Sequence, residues 1–247
     1  MLSNACKAVL TAMKVIGILG GMGPQATVDL YQKILDSTAA SRDQEHIPTL
    51  IWSNPGVPDR NLAILHGGPD PSPALVAGAR LLETGGADFI VVPCNTAHLF
   101  ADAITRAVTI PLVNMIEETA AEAARRLPRH SQVSILATTA TVLTGLYQKA
   151  LSRHGLGAMV PGAEDQEQIM SAIFDVQGIK AGFADEHNRN RVLTVLRRQQ
   201  EQGAVAFIAG CTELPLVLKP DDADCLLDPT LILAQAAVRR AGASLRM

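Results

Sequence analysis

Aromatic side chains are scarce in this sequence. They make up 3% of its 247 residues, although hydrophobic residues reach 48%, so any core must be filled by Ala, Val, Ile and Leu. Long apolar runs are lacking too. The stretches at 15–19 and 89–93 are far too short to cross a bilayer, which takes about 20 residues. No basic run stands out, and 21 Lys and Arg face 24 Asp and Glu for a formal charge of −3, which argues against a nucleic-acid partner. The four cysteines, Cys6, Cys94, Cys211 and Cys225, are too sparse for a secreted disulfide framework. They read as free thiols in a reducing cytoplasm. The opening MLSNACKAVLTA lacks the apolar core and basic start of a secretory signal. It reads as an extension over 1–13, ahead of a domain that begins at Lys14, with Met13 as a second candidate start. No Gly-Lys-Ser/Thr occurs, so a P-loop is excluded.

Short apolar runs, by contrast, are plentiful and alternate with amphipathic stretches. KVIGIL, PTLIWS, DFIVVP, IPLVN, QVSILA, VAFIAG and CLLD read as buried parallel strands. Helices are predicted over 25–38, 72–84, 96–107, 117–127, 141–154, 165–177, 185–202 and 230–240. Ser72 before Pro73 looks like a helix N-cap, Gly85 lies just past that helix, and Asp185 and Gly203 bracket another. Continuous apolar strands alternating with helices imply an α/β fold of mainly parallel sheets flanked by helices.

The pattern repeats weakly. In each half a strand (KVIGIL, QVSILA) opens into a small-residue loop (GGMGPQAT, TTATVLT), and a later strand (DFIVVP, VAFIAG) runs into a cysteine, Cys94 or Cys211. The two cysteines stand about half a chain apart. This predicts two pseudo-symmetric lobes, 14–116 with 225–247 and 117–224, with an active site in the cleft between them. Ligands of open α/β sheets bind beyond the carboxyl ends of the strands, and a helix N-terminus there can stabilise a thiolate. A free cysteine is ordinarily a small buried hydrophobe; a matched pair asks for a reaction with two like groups. Racemisation at an amino-acid Cα is one. A base takes the proton from one face, an acid returns one to the other, and a thiol with a pKa near 8.5 can serve as either. Without an electron sink such as pyridoxal phosphate, the carbanion charge must be stabilised by amides and hydroxyls aimed at the substrate carboxylate.

GILGGMGPQAT, SNPGVPDR, PCNTAH and GCTELP, in this order and spanning almost the whole chain from Lys14, resemble the aspartate/glutamate racemase superfamily, most closely its aspartate racemase branch. The resemblance implies a cofactor-independent racemase and a homodimer, with Cys94 and Cys211 as the catalytic pair. Some relatives carry Thr in place of the first cysteine and act on one side only; this chain keeps both. The resemblance further implies that Met22 and Gly23 border the substrate carboxylate. Asn95, Thr96, Thr138, Thr139 and Thr212 would donate to it, and Arg60 and Lys180 would meet an acidic side chain. Glu164 matches an acidic position, and His98, one helical turn after Cys94, is a candidate tuner of the thiol. Cys94 and His98 alone are too few ligands for a metal site.

Two rival readings remain. Gly21-x-Gly23-x-x-Ala26 after a strand fits a dinucleotide fingerprint, but the next strand ends in Ser53 and Asn54 instead of an acid. The glycines read better as room for close approach to a carboxylate. A two-lobed, non-catalytic carboxylate-binding module would need the donors but not two thiols. Among substrates, Arg60 and Lys180 favour aspartate, then glutamate, with a broad-specificity racemase of neutral amino acids as the alternative.

Overall fold

The computed structural model describes residues 13–246. Residues 1–12 of that extension, with Cys6 and the first candidate start, lie outside the described residues. Two four-stranded sheets organise the chain. The first contains β1 (Ile16–Gly20), β2 (Thr49–Ser53), β3 (Phe89–Val91) and β4 (Leu112–Val113) in the order β2-β1-β3-β4. The second contains β5 (Gln132–Leu136), β6 (Gly157–Met159), β7 (Ala206–Ala209) and β8 (Leu226–Leu227) in the order β6-β5-β7-β8. Every pairing is parallel. Both sheets thus run second, first, third, fourth, so the weak repeat in the sequence is a repeat of topology.

The first half of the chain carries α1 (Pro24–Ser37), α2 (Arg60–His66), α3 (Ser72–Thr84) and α4 (Ala101–Ala107). The chain then passes through α5 (Met115–Arg126) to α6 (Thr139–Leu143), α7 (Leu146–Arg153), α8 (Ala163–Phe174) and α9 (Glu186–Glu201). It ends in α10 (Pro229–Ala241). Alternate strand residues face opposite ways, and each sheet divides its side chains accordingly. Ile16 and Ile18 pack with Leu30 and Ile34 of α1 and Leu233 and Val238 of α10, while Leu19 and Ile90 pack with Leu75, Ala79 and Leu82 of α3. Val133, Ile135 and Ile208 pack with Tyr147 and Leu151 of α7, while Leu136 and Phe207 face Ile169 of α8 and Val192 and Leu196 of α9. The core is aliphatic, as the composition requires, with Phe89, Phe207 and Tyr147 as its large aromatic members.

Several local expectations are corrected. The helix over 141–154 is two helices, because Gly145 takes a left-handed φ of 70° between α6 and α7. The stretch 96–107 opens as a 3-10 turn, Thr96–Phe100, before α4. Ser72 is the first residue of α3 and not its cap; its N–H is held by Asp70 Oδ1 at 2.8 Å. The strand β6 was missed because its three residues, Gly-Ala-Met, form a half-buried edge without an apolar run. Helix α2 was missed because it is only seven residues long, though Asp59 caps its start and Gly67 closes it at φ 63°. The lobe boundary at 225 falls too early: Leu226 and Leu227 pair with Phe207 and Ile208 in the second sheet. After β8, α10 serves both lobes, with Leu233 and Val238 in the first core and Ile232 in the second.

Candidate active site

The third strand of each lobe, β3 or β7, delivers a cysteine just beyond its carboxyl end. Cys94 follows Val92 and Pro93, with its N–H bonded to the Val92 carbonyl at 2.8 Å. Cys211 follows Gly210, where a Cβ would lie 2.9 Å from that of Ala137, so only glycine lets β7 run this close to the end of β5. Both cysteines are buried, each 6% exposed, and both are free thiols, as is Cys225. Neither stands at the start of an α-helix. Each loop enters a 3-10 turn, Thr96–Phe100 or Leu214–Leu216, so the helix N-terminus expected to stabilise a thiolate is not there.

What Cys211 meets instead is Glu213, which sequence reasoning passed over although it stands in GCTELP. The Cys211 thiol donates to Glu213 Oε2 at 2.9 Å, and the Thr212 hydroxyl donates to the same oxygen at 3.3 Å. The other carboxylate oxygen is ion-paired with Lys180, from the turn Ile179–Ala181. Burial, and next the Glu213 charge, push the Cys211 thiol well above its ordinary value, against a smaller pull from Lys180. Burial works against the Lys180 charge. Burial is the largest single influence, but the Glu213 carboxylate and the Cys211 and Cys94 sulfurs together outweigh it, and the ammonium is held above its usual range. Lys180 therefore feels both cysteines, one from each lobe. Gly23, Lys180 and Glu213 border a cavity of about 650 Å³. The cysteines do not line it themselves; Cys211 reaches it through Glu213.

The seam between lobes is polar and buried. Thr96 Oγ1 lies 2.8 Å from Thr141 Oγ1 and 3.2 Å from Thr138 Oγ1, a three-hydroxyl cluster in which Thr141 was not foreseen. Asn95 accepts a hydrogen bond from the Tyr147 hydroxyl, while its Nδ2 is buried without a partner among the described residues. Thr139 Oγ1 accepts from Gln166 Nε2 at 3.3 Å. In the first loop Gly23 faces the second lobe directly, since a Cβ there would meet Glu213 Oε1 at 3.6 Å and Lys180 Nζ at 3.7 Å. The Met22 carbonyl accepts from Arg60 at 3.2 Å. Arg60 is 9% exposed and also donates to the carbonyls of Val57 and Pro58, with Nε left unpartnered; its bonds within the described chain go to carbonyls only.

Two candidates stand apart. Glu164 is solvated on the first turn of α8, its side chain 82% exposed, with Arg198 at 3.9 Å; it does not join the site. Its neighbour Asp165 is the buried acid there and takes Arg198 at 2.6 Å. His98 touches the Cys94 backbone. Its Nδ1 bonds the Cys94 carbonyl at 2.9 Å, and its Nε2 accepts the Met115 N–H at 3.0 Å. That arrangement needs a neutral ring protonated at Nδ1, and burial lowers its pKa from 6.5 to about 4. His98 thus pins the first cysteine loop to the start of α5. Between pH 6.5 and 4 the unfolded chain binds a proton here that the folded chain refuses, so stability falls as pH drops through that window, by on the order of 3 kcal/mol. Urea unfolding across this range is expected to show that slope, and His98→Gln to flatten it; equal slopes in the two proteins would count against the strut.

No three His, Cys, Asp or Glu side chains converge as metal donors among the described residues, and no described helix is long and apolar enough to cross a membrane. Fold and site together define a two-lobed α/β protein with a cysteine loop in each half and a polar seam between the halves. Comparison with known proteins makes this specific. Residues 19–237 match the Asp/Glu/hydantoin racemase family. The chain is 30% identical to the broad-specificity amino-acid racemase RacX of Bacillus subtilis over 230 residues, 91% of this chain and 96% of that one. The solved aspartate racemase of Picrophilus torridus superposes with a TM-score of 0.83 at 29% identity, covering 94% of this chain and 96% of the other. Glutamate racemase from Francisella tularensis, solved with D-glutamate, shares the fold, with a TM-score of 0.65 at 15% identity over 92% of this chain and 80% of its own. The chain belongs to the Asp/Glu/hydantoin racemase family.

Proposed function

We propose that the protein interconverts L- and D-aspartate without a cofactor, by proton transfer between Cys94 and Cys211 on opposite faces of the substrate Cα. The observation that carries this reading is the matched position of the two buried cysteines, each just past the third strand of sheets with the same order. In one direction the thiolate of one cysteine takes the Cα proton. The C–H pair passes into the carbanion, and the thiol of the other cysteine delivers a proton to the opposite face. The reverse direction exchanges the roles. The charge that develops on the α-carboxylate needs donors in a site closed to water. Asn95 Nδ2, a buried donor without a partner among the described residues, is one such group, and the buried Thr96, Thr138 and Thr212 and the half-buried Thr139 supply hydroxyls. Arg60 and Lys180 supply positive charge for a second carboxylate, with Met22 and Gly23 forming the wall between them. The reading includes the cytoplasmic location suggested by the free thiols and a homodimer.

One comparison favours a second reading. The relative from Bacillus subtilis is named for broad specificity, so a panel of neutral amino acids belongs in the test. Each enantiomer of aspartate, glutamate and the neutral amino acids is incubated with reduced protein in deuterated water, and Cα deuteration is followed by NMR alongside chirality. Deuteration with inversion of aspartate is the expected result. Turnover of neutral amino acids in preference to aspartate would move the assignment to the broad class, and no exchange with any amino acid would end the racemase reading.

A further inference from the structure

We propose that Glu213 holds a proton on Cys211, so that the free protein rests with Cys211 as the acid and Cys94 as the base of the first turnover. This deepens the two-base reading above and rests on it. The lobes share a strand order, but their cysteine loops differ at the third position: Cys94-Asn95-Thr96 in the first, Cys211-Thr212-Glu213 in the second. Thr96 turns its hydroxyl into the seam, toward Thr138 and Thr141. Glu213 turns back on its own loop and accepts the Cys211 thiol at 2.9 Å. A carboxylate in that position bonds to the protonated sulfur and repels the deprotonated one.

The first loop has no counterpart. Among the described residues no carboxylate is hydrogen-bonded to Cys94 Sγ. The titratable groups near that loop are His98, buried and neutral, which bonds the Cys94 carbonyl, and Lys180, whose positive charge reaches Cys94 as well as Cys211. The charged and titratable neighbours of Cys211 are few. Glu213 lies on its own loop, Lys180 comes from the turn Ile179–Ala181, and Tyr147 comes from α7. Lys180 favours the thiolate but is tied to the Glu213 carboxylate. Tyr147 is kept neutral by burial, its hydroxyl pKa raised beyond the ordinary range. Cys211 also belongs to an apolar cluster with Leu136, Leu214, Ile169 of α8 and Val192 of α9.

The consequence is a bias between two states that would otherwise be equivalent. The resting form accepts the enantiomer whose Cα–H faces Cys94. To accept the mirror image, Cys211 must first release its proton to water and Cys94 take one up. Glu213 acts through Cys211 and is a positioning residue.

Thiol alkylation reads this state directly, because the thiolate is the species that reacts. The two cysteines are equally exposed at 6%, so their rates compare charge more than access. The reduced, full-length protein is treated with iodoacetamide at neutral pH, and modification of each cysteine is timed by peptide mass mapping. Cys94 is expected to react at least about tenfold faster than Cys211, the factor that one pKa unit represents. In Glu213→Gln the gap closes by about that factor, and the pH at which Cys211 becomes reactive falls. Glu213→Asp, which keeps a carboxylate on a shorter arm, retains part of the gap. A Cys211 that reacts as fast as Cys94 in the unaltered protein overturns the proposal, as does a Cys211 pH profile that Glu213→Gln leaves in place. The first comparison needs no variant, so a variant that does not fold leaves the test intact. Deuterium exchange with inversion in a protein lacking the asymmetry would sink this inference and leave the racemase reading standing.

Discussion

Cys94→Ser and Cys211→Ser are each expected to lower kcat/KM for aspartate racemisation by about 10²–10⁴-fold, the scale of a lost general acid or base. A serine hydroxyl fills nearly the same space but neither yields nor takes a proton readily near neutrality. The loss must be equal in the two directions for either variant. The enantiomers have the same free energy, so the ratio of the two kcat/KM values is fixed at one whatever the enzyme does. Isotope exchange separates the variants where racemisation does not. A protein with one thiol left can still remove the proton facing it and return deuterium to the same face. Each variant is therefore expected to label one enantiomer without inverting it, and the two variants to label opposite enantiomers. Both proteins should melt near the unaltered one. A variant that keeps racemisation within tenfold of the original would remove that cysteine from the mechanism, and a non-catalytic carboxylate-binding module would show no exchange at all.

Gly21→Ala is expected to lose about 2–6 kcal/mol of stability, the sum of a strained backbone and a forced repacking. Gly21 has φ 97°, and a Cβ there would fall on the backbone of Asn54 where the chain leaves β2. In a chain of this length that corresponds to a melting point lower by on the order of 10 °C. Gly23→Ala makes the useful contrast. Its Cβ meets only Glu213 Oε1 and Lys180 Nζ, at 3.6 and 3.7 Å, so the fold tolerates it while the cleft loses space. The expected pattern is a large drop in melting temperature with little bearing on the site for Gly21→Ala, and a nearly unchanged melting temperature with weakened turnover for Gly23→Ala. Comparable melting temperatures for Gly21→Ala and the unaltered protein would show that the first loop shifts freely. The pair also divides a reading that treated both glycines as room for a ligand: Gly21 makes room for the neighbouring loop, and Gly23 alone faces the cleft.

The central strands were legible because parallel strands covered on both faces need unbroken apolar runs, and the runs around Ile16, Phe89, Val133 and Phe207 supply them; PTLIWS, read as buried too, forms the edge strand β2, whose residues are half-buried to exposed. The span of helix α3 was legible, since Pro73 and Gly85 mark its ends, although Ser72 is its first residue and Pro71 its cap. The edge strand β6 carried no such run, and α2 was too short for a periodic face to show. The thiols were legible as a pair through the matched strand-cysteine pattern, but their surroundings were not. Glu213 reads in sequence as one more acid. It becomes the partner of Cys211 because the loop after β7 turns its side chain back, and because the turn carrying Lys180 arrives from 33 residues earlier to hold it. Glu164 is the converse, an acid at the expected place that α8 turns to solvent while burying Asp165.

The sequence by itself determined the fold class, the doubling of the lobes and the place of each cysteine at a strand end, because local apolar runs and their punctuation act over a few residues and are written contiguously. Only the tertiary structure decided which polar groups share the buried seam: Thr96 with Thr138 and Thr141, Asn95 with Tyr147, Lys180 with Glu213. Those pairings join segments far apart in the chain, and their energies depend on burial and direction, which exist only once the two sheets have been brought together.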